Sequence, residues 1–228
     1  MANNSFWYLE NIDLQHVFCP KKHHRMGEKQ HFDFSANTYV YLPDEPAQNI
    51  YLINEGRIKI GTYSEDGKEI TKAILGPGEV FGEMAIMGQE NRRDFAYVMD
   101  NTNVCTLERS DMTDMLRERN DLQMFFMRMI GKRTLQLEAR LESLVFKTSR
   151  TRIIEFLLEL AEEKGRNVGL EKEVKNMLTH KEIADLTATS RQTVNAVMND
   201  LRSRNILTFN RQRMLVRDME LLQREIEE

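Results

Sequence analysis

The sequence predicts an α+β chain in three successive parts: an antiparallel all-β sandwich or roll, a long helix, and a small helical module closed by a hairpin. Three observations carry this. Between about residues 25 and 108, short runs rich in Val, Ile, Tyr and Thr alternate with turn clusters. From about Asp111 the apolar residues recur at three- and four-residue steps instead. Leu178–Asn205, LTHKEIADLTATSRQTVNAVMNDLRSRN, then reads as two short helices around a tight turn.

The β-type runs are Thr38–Leu42, Ile50–Ile53, Arg57–Tyr63, Ile70–Leu75 and Asn103–Glu108. Asn54-Glu55-Gly56, Glu65-Asp66-Gly67 and Gly76-Pro77-Gly78 separate several of them, and the Asp-Gly pair is a strong hairpin signal. Leu122, Phe126, Met129, Ile130, Arg133, Leu137, Leu141 and Leu144 then form one stripe, on a helix of about 33 residues ending near Val145. A stripe that long exceeds what covering one small β-domain requires. It predicts a dimer seam of coiled-coil type through Phe126, Ile130, Arg133, Leu137, Leu141 and Leu144; the competing reading is a helix lying on the β-domain. Thr148 or Ser149 can cap a further helix, Thr151–Glu163, with Gly165 just beyond its end. The domain boundary falls at Phe146–Thr148, which gives parts 1–110, 111–147 and 148–228.

The last part carries the chemistry. Thr179 and Glu182 form a T-x-x-E capping box, and Ile183, Ala184 and Leu186 give that helix a buried side. A second start follows at Thr189/Ser190, and Val194, Val197, Met198 and Leu201 make an apolar stripe. Arg191, Gln192, Thr193, Asn195 and Asn199 are left outward. Arg, Gln and Asn bond base edges bidentately, whereas Thr suits phosphate oxygens or a thymine methyl. Ser190, Thr179 and Lys181, at the two helix starts, complete the candidate DNA-binding set. The alternative is an ordinary helical hairpin with a solvated face. Against it, Ser190–Arg217 holds six arginines (Arg191, Arg202, Arg204, Arg211, Arg213, Arg217) and a single acid, Asp200, a net of +5. Ile206–Phe209 and Met214–Val216, around polar Asn210–Arg213, read as a small wing hairpin that touches the DNA backbone.

The chain as a whole is acidic, with 228 residues, net charge −4 and a pI near 5.8, so a general polyanion-binding coat is excluded. A local basic footprint on an acidic body fits DNA binding by one face, with salt-sensitive affinity. Apolar content of 41% supports real cores, while 30% charge and a mean hydropathy of −0.54 predict a soluble protein. No apolar run approaches the roughly 18 residues needed to cross a bilayer, and MANNSFWYLENIDL lacks the pattern of a secretory leader. Two cysteines, Cys19 and Cys105, make no disulfide framework and fit a reducing cytoplasm; Cys105 sits in an apolar strand pattern that predicts core packing. His16, Cys19, His23, His24 and His31 are metal- or haem-ligand types, but their spacing matches no zinc pattern and Lys21–Arg25 is more simply a solvated basic stretch. No His-x-His pair, phosphate-binding loop or G-x-S-x-G elbow occurs, and the reading is non-enzymatic.

This order of parts resembles the CRP/FNR family of bacterial transcription regulators over essentially the whole chain. Ile50-Tyr51-Leu52-Ile53-Asn54-Glu55-Gly56 resembles its hydrophobic-Tyr-hydrophobic-x-x-x-Gly strand and turn. Gly76-Pro77-Gly78-Glu79-Val80-Phe81-Gly82-Glu83-Met84-Ala85 is similar to its G-x-G-[DE]-x-F-G-E-[LM]-A signature. Ser190-Arg191-Gln192-Thr193-Val194 fits its S-R-x-T-V recognition helix. The resemblance implies a jelly-roll sensor like a cyclic nucleotide-binding domain, a long dimerisation helix and a winged helix-turn-helix. It also implies a homodimer on a two-fold promoter site, contact with RNA polymerase, and a signal carried from the roll along the helix. Ala188 stands where the family usually has a turn Gly. Ala196 replaces a second guanine-reading Arg of the cyclic-AMP member and Gln192 replaces its Glu, so a different half-site is expected.

The same resemblance places an effector pocket at Gly82, Glu83, Met84, Ala85, Arg92, Arg93, Leu137 and Glu138. In cyclic-nucleotide-binding members the turn at Phe81-Gly82-Glu83 cradles the phosphate, the glutamate accepts from the ribose, and an Arg followed by Ser/Thr-Ala completes the grip. Here neither Arg92 nor Arg93 has that continuation, and Asp94 would repel a phosphate. Leu137-Glu138 stands where the cyclic-AMP member has Thr-Ser. A cyclic nucleotide is therefore possible but disfavoured, and the effector stays open, including none at all. Phe95-Ala96 and the strand to Cys105 resemble the strand of iron–sulfur members, yet two cysteines exclude a four-thiolate cluster.

Overall fold

The chain, a computed structural model, is described for residues 12–18, 31–210 and 212–226. It forms two compact units, residues 1–133 and 134–228.

The first unit comprises α1 (Leu14–Phe18), β1 (His31–Phe34), β2 (Tyr39–Tyr41), β3 (Asn49–Glu55), β4 (Ile58–Tyr63), β5 (Glu69–Leu75), β6 (Val80–Phe81), β7 (Phe95–Val98), β8 (Thr102–Glu108), α2 (Arg109–Glu118) and the start of α3 (Asn120–Phe146). Its strands form two four-stranded antiparallel sheets, β1-β8-β3-β6 and β2-β7-β4-β5. Strand β3 shows how the core is divided. Tyr51 and Ile53 enter a cluster with Ile58, Phe81, Val98 and Val104, while Ile50 and Leu52, on the other face, pack with Leu107, Met112, Leu122, Phe125 and Phe126. Gly56, at φ +87, ends β3: an added Cβ would lie 2.2 Å from Thr102 Oγ1 and 2.7 Å from the Asn101 carbonyl, so only Gly fits.

The long helix is shorter than the stripe predicts. Arg119 is extended (φ −122, ψ 100), which separates α2 from the 27-residue α3. Its guanidinium reaches Asp121 at 2.6 Å, placing a carboxylate in the first turn of α3, where the helix dipole favours it. Phe126 also departs from the seam reading: it is buried in the core of its own unit, because the first turns of α3 cover β3 and β8. Cys105 packs in that core as expected, but its sulfur is disulfide-bonded, contrary to the reading of reduced thiols.

The second unit holds the rest of α3, α4 (Ser149–Lys164), β9 (Arg166–Val168), β10 (Glu171–Lys175), α5 (His180–Leu186), α6 (Arg191–Ser203), β11 (Leu207–Phe209), β12 (Arg213–Val216) and α7 (Met219–Arg224). Its antiparallel sheet has the order β11-β12-β10-β9. Thr148 caps α4 through the Thr151 amide, and Thr179 and Glu182 complete the predicted capping box on α5. Ile153, Ile154 and Leu157 of α4 meet Ile183, Val194, Val197, Met198 and Leu201 in one apolar core.

The turn between α5 and α6 is held from outside. Arg152 donates to the carbonyls of Thr187 (3.0 Å), Ala188 (3.0 Å) and Lys147 (2.9 Å), and Arg140 donates to that of Asp185 (2.9 Å). Ala188 sits at φ +50, in the left-handed region, which costs a non-Gly residue about 1–2 kcal/mol. The greater backbone entropy that Gly loses on folding, about 0.5–1 kcal/mol, offsets part of the relief. Ala188→Gly is therefore expected to stabilise the protein by about 0.5–1 kcal/mol, read as a higher thermal midpoint in calorimetry; a lower midpoint would contradict the strain.

Candidate nucleic-acid interface and effector pocket

The outward residues of α6 are placed by its own cap and stripe. Ser190 accepts from the Thr193 amide at 3.0 Å and shares a hydroxyl contact with Thr193 at 2.8 Å. Val194, Val197, Met198 and Leu201 are buried on one side. Arg191, Gln192 and Asn195 are exposed, as are Thr179, Lys181 and Ser190, with Thr193 half-buried. The structure thus leaves the predicted polar set, apart from half-buried Thr193, exposed at the starts of α5 and α6 and one turn into α6.

The charge reading needs adjustment. Arg204 is tied to Glu225, which also takes Arg150 at 2.8 Å, and Arg213 reaches Glu173 at 3.2 Å. Both glutamates are buried and lie outside the window from which the +5 was counted. Arg202 lies over the Phe209 ring at 5.1 Å and donates to Asn199 at 2.8 Å. Arg211 lies outside the described residues.

His180 was not singled out by sequence. Its ring centroid is 5.4 Å from that of Phe209. Burial, reinforced by the Arg191 charge, holds its pKa below the ordinary histidine value, while the Asn195 contact opposes that shift. Phe209 lies far downstream of His180, so no local pattern could have flagged that contact.

The pocket residues fall differently from expectation. Gly82 is left-handed (φ 76) before a 3₁₀ turn, Glu83–Ala85. Glu83 is buried and ion-paired with Arg133, which also donates to the Val80 carbonyl at 2.6 Å. Arg92 is buried: its Nη1 and Nη2 donate to the carbonyls of Gly82 (3.0 Å) and Asn49 (2.5 Å), and its guanidinium stands 4.2 Å from the centre of the Tyr41 ring. Its Nε is a buried donor without a partner among the described residues. Arg93 and Met84 are exposed, and Ala85 is buried. Arg92, Glu83 and Arg133 therefore meet in the first unit, and Arg133 belongs to this cluster more than to an open seam. Leu137 and Glu138, both exposed, belong to the second unit. Of the histidine–cysteine set, His16 and His31 are exposed, and Cys19, His23 and His24 lie outside the described residues.

Two family models match the chain: a cyclic nucleotide-binding domain over residues 31–119 and a Crp-like helix-turn-helix domain over residues 151–225. The chain belongs to the CRP/FNR family. It is 29% identical over 195 residues to the CRP-like cAMP-activated global transcriptional regulator of Mycobacterium tuberculosis, covering 86% of this chain and 87% of that protein. It is 27% identical to the global nitrogen regulator of a Nostoc species, covering 80% and 83%. Among solved structures, a mutant CooA from Carboxydothermus hydrogenoformans matches with a TM-score of 0.77 at 25% identity, covering 94% of this chain and 95% of that one. FixK2 from Bradyrhizobium japonicum shares the fold, with a TM-score of 0.74 at 22% identity, 85% of this chain and 95% of that one. This CRP/FNR protein is thus a CRP-like transcription regulator with a nucleotide-binding-type roll and a helix-turn-helix, and its relatives are regulators, not enzymes. No helix among the described residues is long and apolar enough to cross a membrane.

Removing Arg133 strands the buried Glu83 carboxylate. Arg133→Ala is expected to cost about 1–3 kcal/mol in urea unfolding, and adding Glu83→Gln should recover part of it. Strictly additive effects in the double-mutant cycle would show that the pair carries no coupling.

Proposed function

We propose that this chain acts as a cytoplasmic homodimer that binds a two-fold promoter site through paired α6 helices, contacts RNA polymerase, and does not take cyclic AMP as its effector. The observation that carries the DNA reading is α6 itself: Arg191, Gln192 and Asn195 exposed at its N-terminal half over a fully buried apolar stripe. In a two-fold dimer such helices enter successive major grooves about 34 Å apart. The dimer reading is supported by Leu137, Leu141 and Leu144, all exposed at helical spacing in the single chain, with Ile130 half-buried about two turns before. The three-part division at 110/111 and 147/148 serves the same reading, with α3 as the shared spine.

The effector reading rests on Arg92 and Glu83. A phosphate grip needs a guanidinium fork directed at the ligand, whereas both Nη atoms of Arg92 bond backbone carbonyls and Glu83 already has Arg133. This favours a second reading, a regulator active without a small molecule and controlled by abundance. A haem, metal or other small-ligand sensor is the remaining alternative. Native mass spectrometry with an absorbance spectrum of the purified protein decides among them: a clean apo dimer supports effector independence, and co-purified cyclic AMP overturns the reading.

Two variants test the rest. Arg191→Ala is expected to cost about 1–3 kcal/mol in DNA affinity and to relax one base position; equal weakening on every sequence in mobility-shift assays would assign Arg191 to phosphate alone. Leu141→Asp is expected to halve the mass measured by sedimentation velocity and to weaken DNA binding with it. A wild-type protein that stays monomeric at micromolar concentration would overturn the dimer.

A further inference from the structure

The second half of α3 is open to solvent except at one residue. From Thr134 to Glu142 every residue is exposed apart from Arg140, which is half-buried. Its Nη2 donates to the Asp185 carbonyl of α5 at 2.9 Å. Seven residues on, the Lys147 carbonyl just past α3 accepts from Arg152, and the same guanidinium reaches the Thr187 and Ala188 carbonyls of the turn before α6. The helix end is therefore attached to α5 and its turn at two points, about 10 Å apart along the helix axis, all within the second unit. One attachment leaves a helix free to pivot; two fix its angle. Leu137 lies three residues before Arg140 and Leu144 four after it, so the exposed leucine stripe runs along the same turns as this attachment.

We propose that Arg140 is a positioning residue that sets the spacing between half-sites. By holding α5 to the leucine-bearing stretch of α3, it fixes how far apart, and at what mutual rotation, the two α6 helices of a dimer stand. This rests on the dimeric DNA-reading function proposed above. Inserting one base pair between half-sites moves them apart by about 3.4 Å and turns one against the other by about 35°. A dimer whose reading helices are tied to its seam follows that change only by giving up the tie. A hydrogen bond from a charged donor is worth on the order of tenfold in an equilibrium. The wild-type protein loses that factor on a misspaced site, and a chain without the guanidinium does not.

The competing role is plain stabilisation of the helix end, which weakens every site alike. The test takes the half-sites that wild-type protein selects from a random duplex library and varies their separation one base pair at a time. Binding is measured at a concentration where sedimentation velocity shows each variant dimeric. The wild-type protein is expected to favour one separation, and Arg140→Ala to reduce that preference on the order of tenfold, with the bases chosen inside each half-site unchanged. Arg140→Lys, which keeps a donor but not the fork, is expected to restore part of the preference. Equal weakening at all separations, or an unchanged preference, overturns the proposal. Hydrogen exchange in the DNA-free full-length protein reads the contact itself. The Thr187 and Thr189 amides, bonded to the Ile183 and Ala184 carbonyls at 2.9 Å each, are expected to exchange on the order of tenfold faster in Arg140→Ala; unchanged exchange overturns the tie. If the wild-type protein selects no paired site, the dimeric reading function fails and this role with it. If it selects paired sites whose spacing preference survives Arg140→Ala, the function stands and the spacing role alone falls.

Discussion

Arg152 sends its guanidinium from α4 to three carbonyls that the helices leave unsatisfied: Lys147 at the end of α3, and Thr187 and Ala188 in the turn before α6. A helix leaves its last carbonyls without intrahelical partners, and a buried end without substitutes is costly. One planar fork with five donors meets that demand where a lysine could not. Arg140 adds the Asp185 carbonyl from α3. Together they explain how Ala188 tolerates a left-handed backbone and why α6 leaves the turn in one direction. The exposed row Arg191, Gln192, Asn195 has a fixed aim only because of that direction, and burial of Val194, Val197, Met198 and Leu201 then fixes the rotation of the helix about its axis.

In the first unit the corresponding constraint is the burial of charge. Arg92 and Glu83 are both buried, and each is held by this chain's own groups: two backbone carbonyls and the Tyr41 ring for one, Arg133 for the other. A buried ion must be paired or hydrogen-bonded. The turn at Gly82 is thereby stapled to Asn49 on β3 and to the first half of α3, without recourse to a ligand. The departures around Arg93-Asp94 fit this: Arg93 is exposed, and Asp94 pairs with Lys72 at 3.3 Å.

What was legible in the sequence was local. The Thr179/Glu182 capping box, the Ser190 cap, the α6 stripe and the turn-bounded strands β3, β4, β5 and β8 all depend on residues within a few positions of one another, and they recur in the structure. Strands β9 and β10 were not seen because Arg-Asn-Val and Glu-Lys-Glu-Val-Lys are too charged to read as strands. They form because Val174 enters the core and Glu173 is neutralised by Arg166 and Arg213. The break at Arg119 carries no Pro or Gly signal, so the helix looked longer than it is. Which of Arg92 and Arg93 points inward, and that Glu83 finds Arg133 fifty residues away, are tertiary facts with no local signature. Glu225 and His180 escaped notice for the same reason.

Glu225 ties separate elements of the second unit together. Buried at the C-cap of α7, it grips Arg204 after α6 and Arg150 at the start of α4. The turn after α7 is therefore a keystone for the fold of its unit. Loss of that one carboxylate would therefore be felt at two sequence-distant points of the unit at once, the close of α6 and the opening of α4, although Arg150 keeps Asp200 at 2.7 Å.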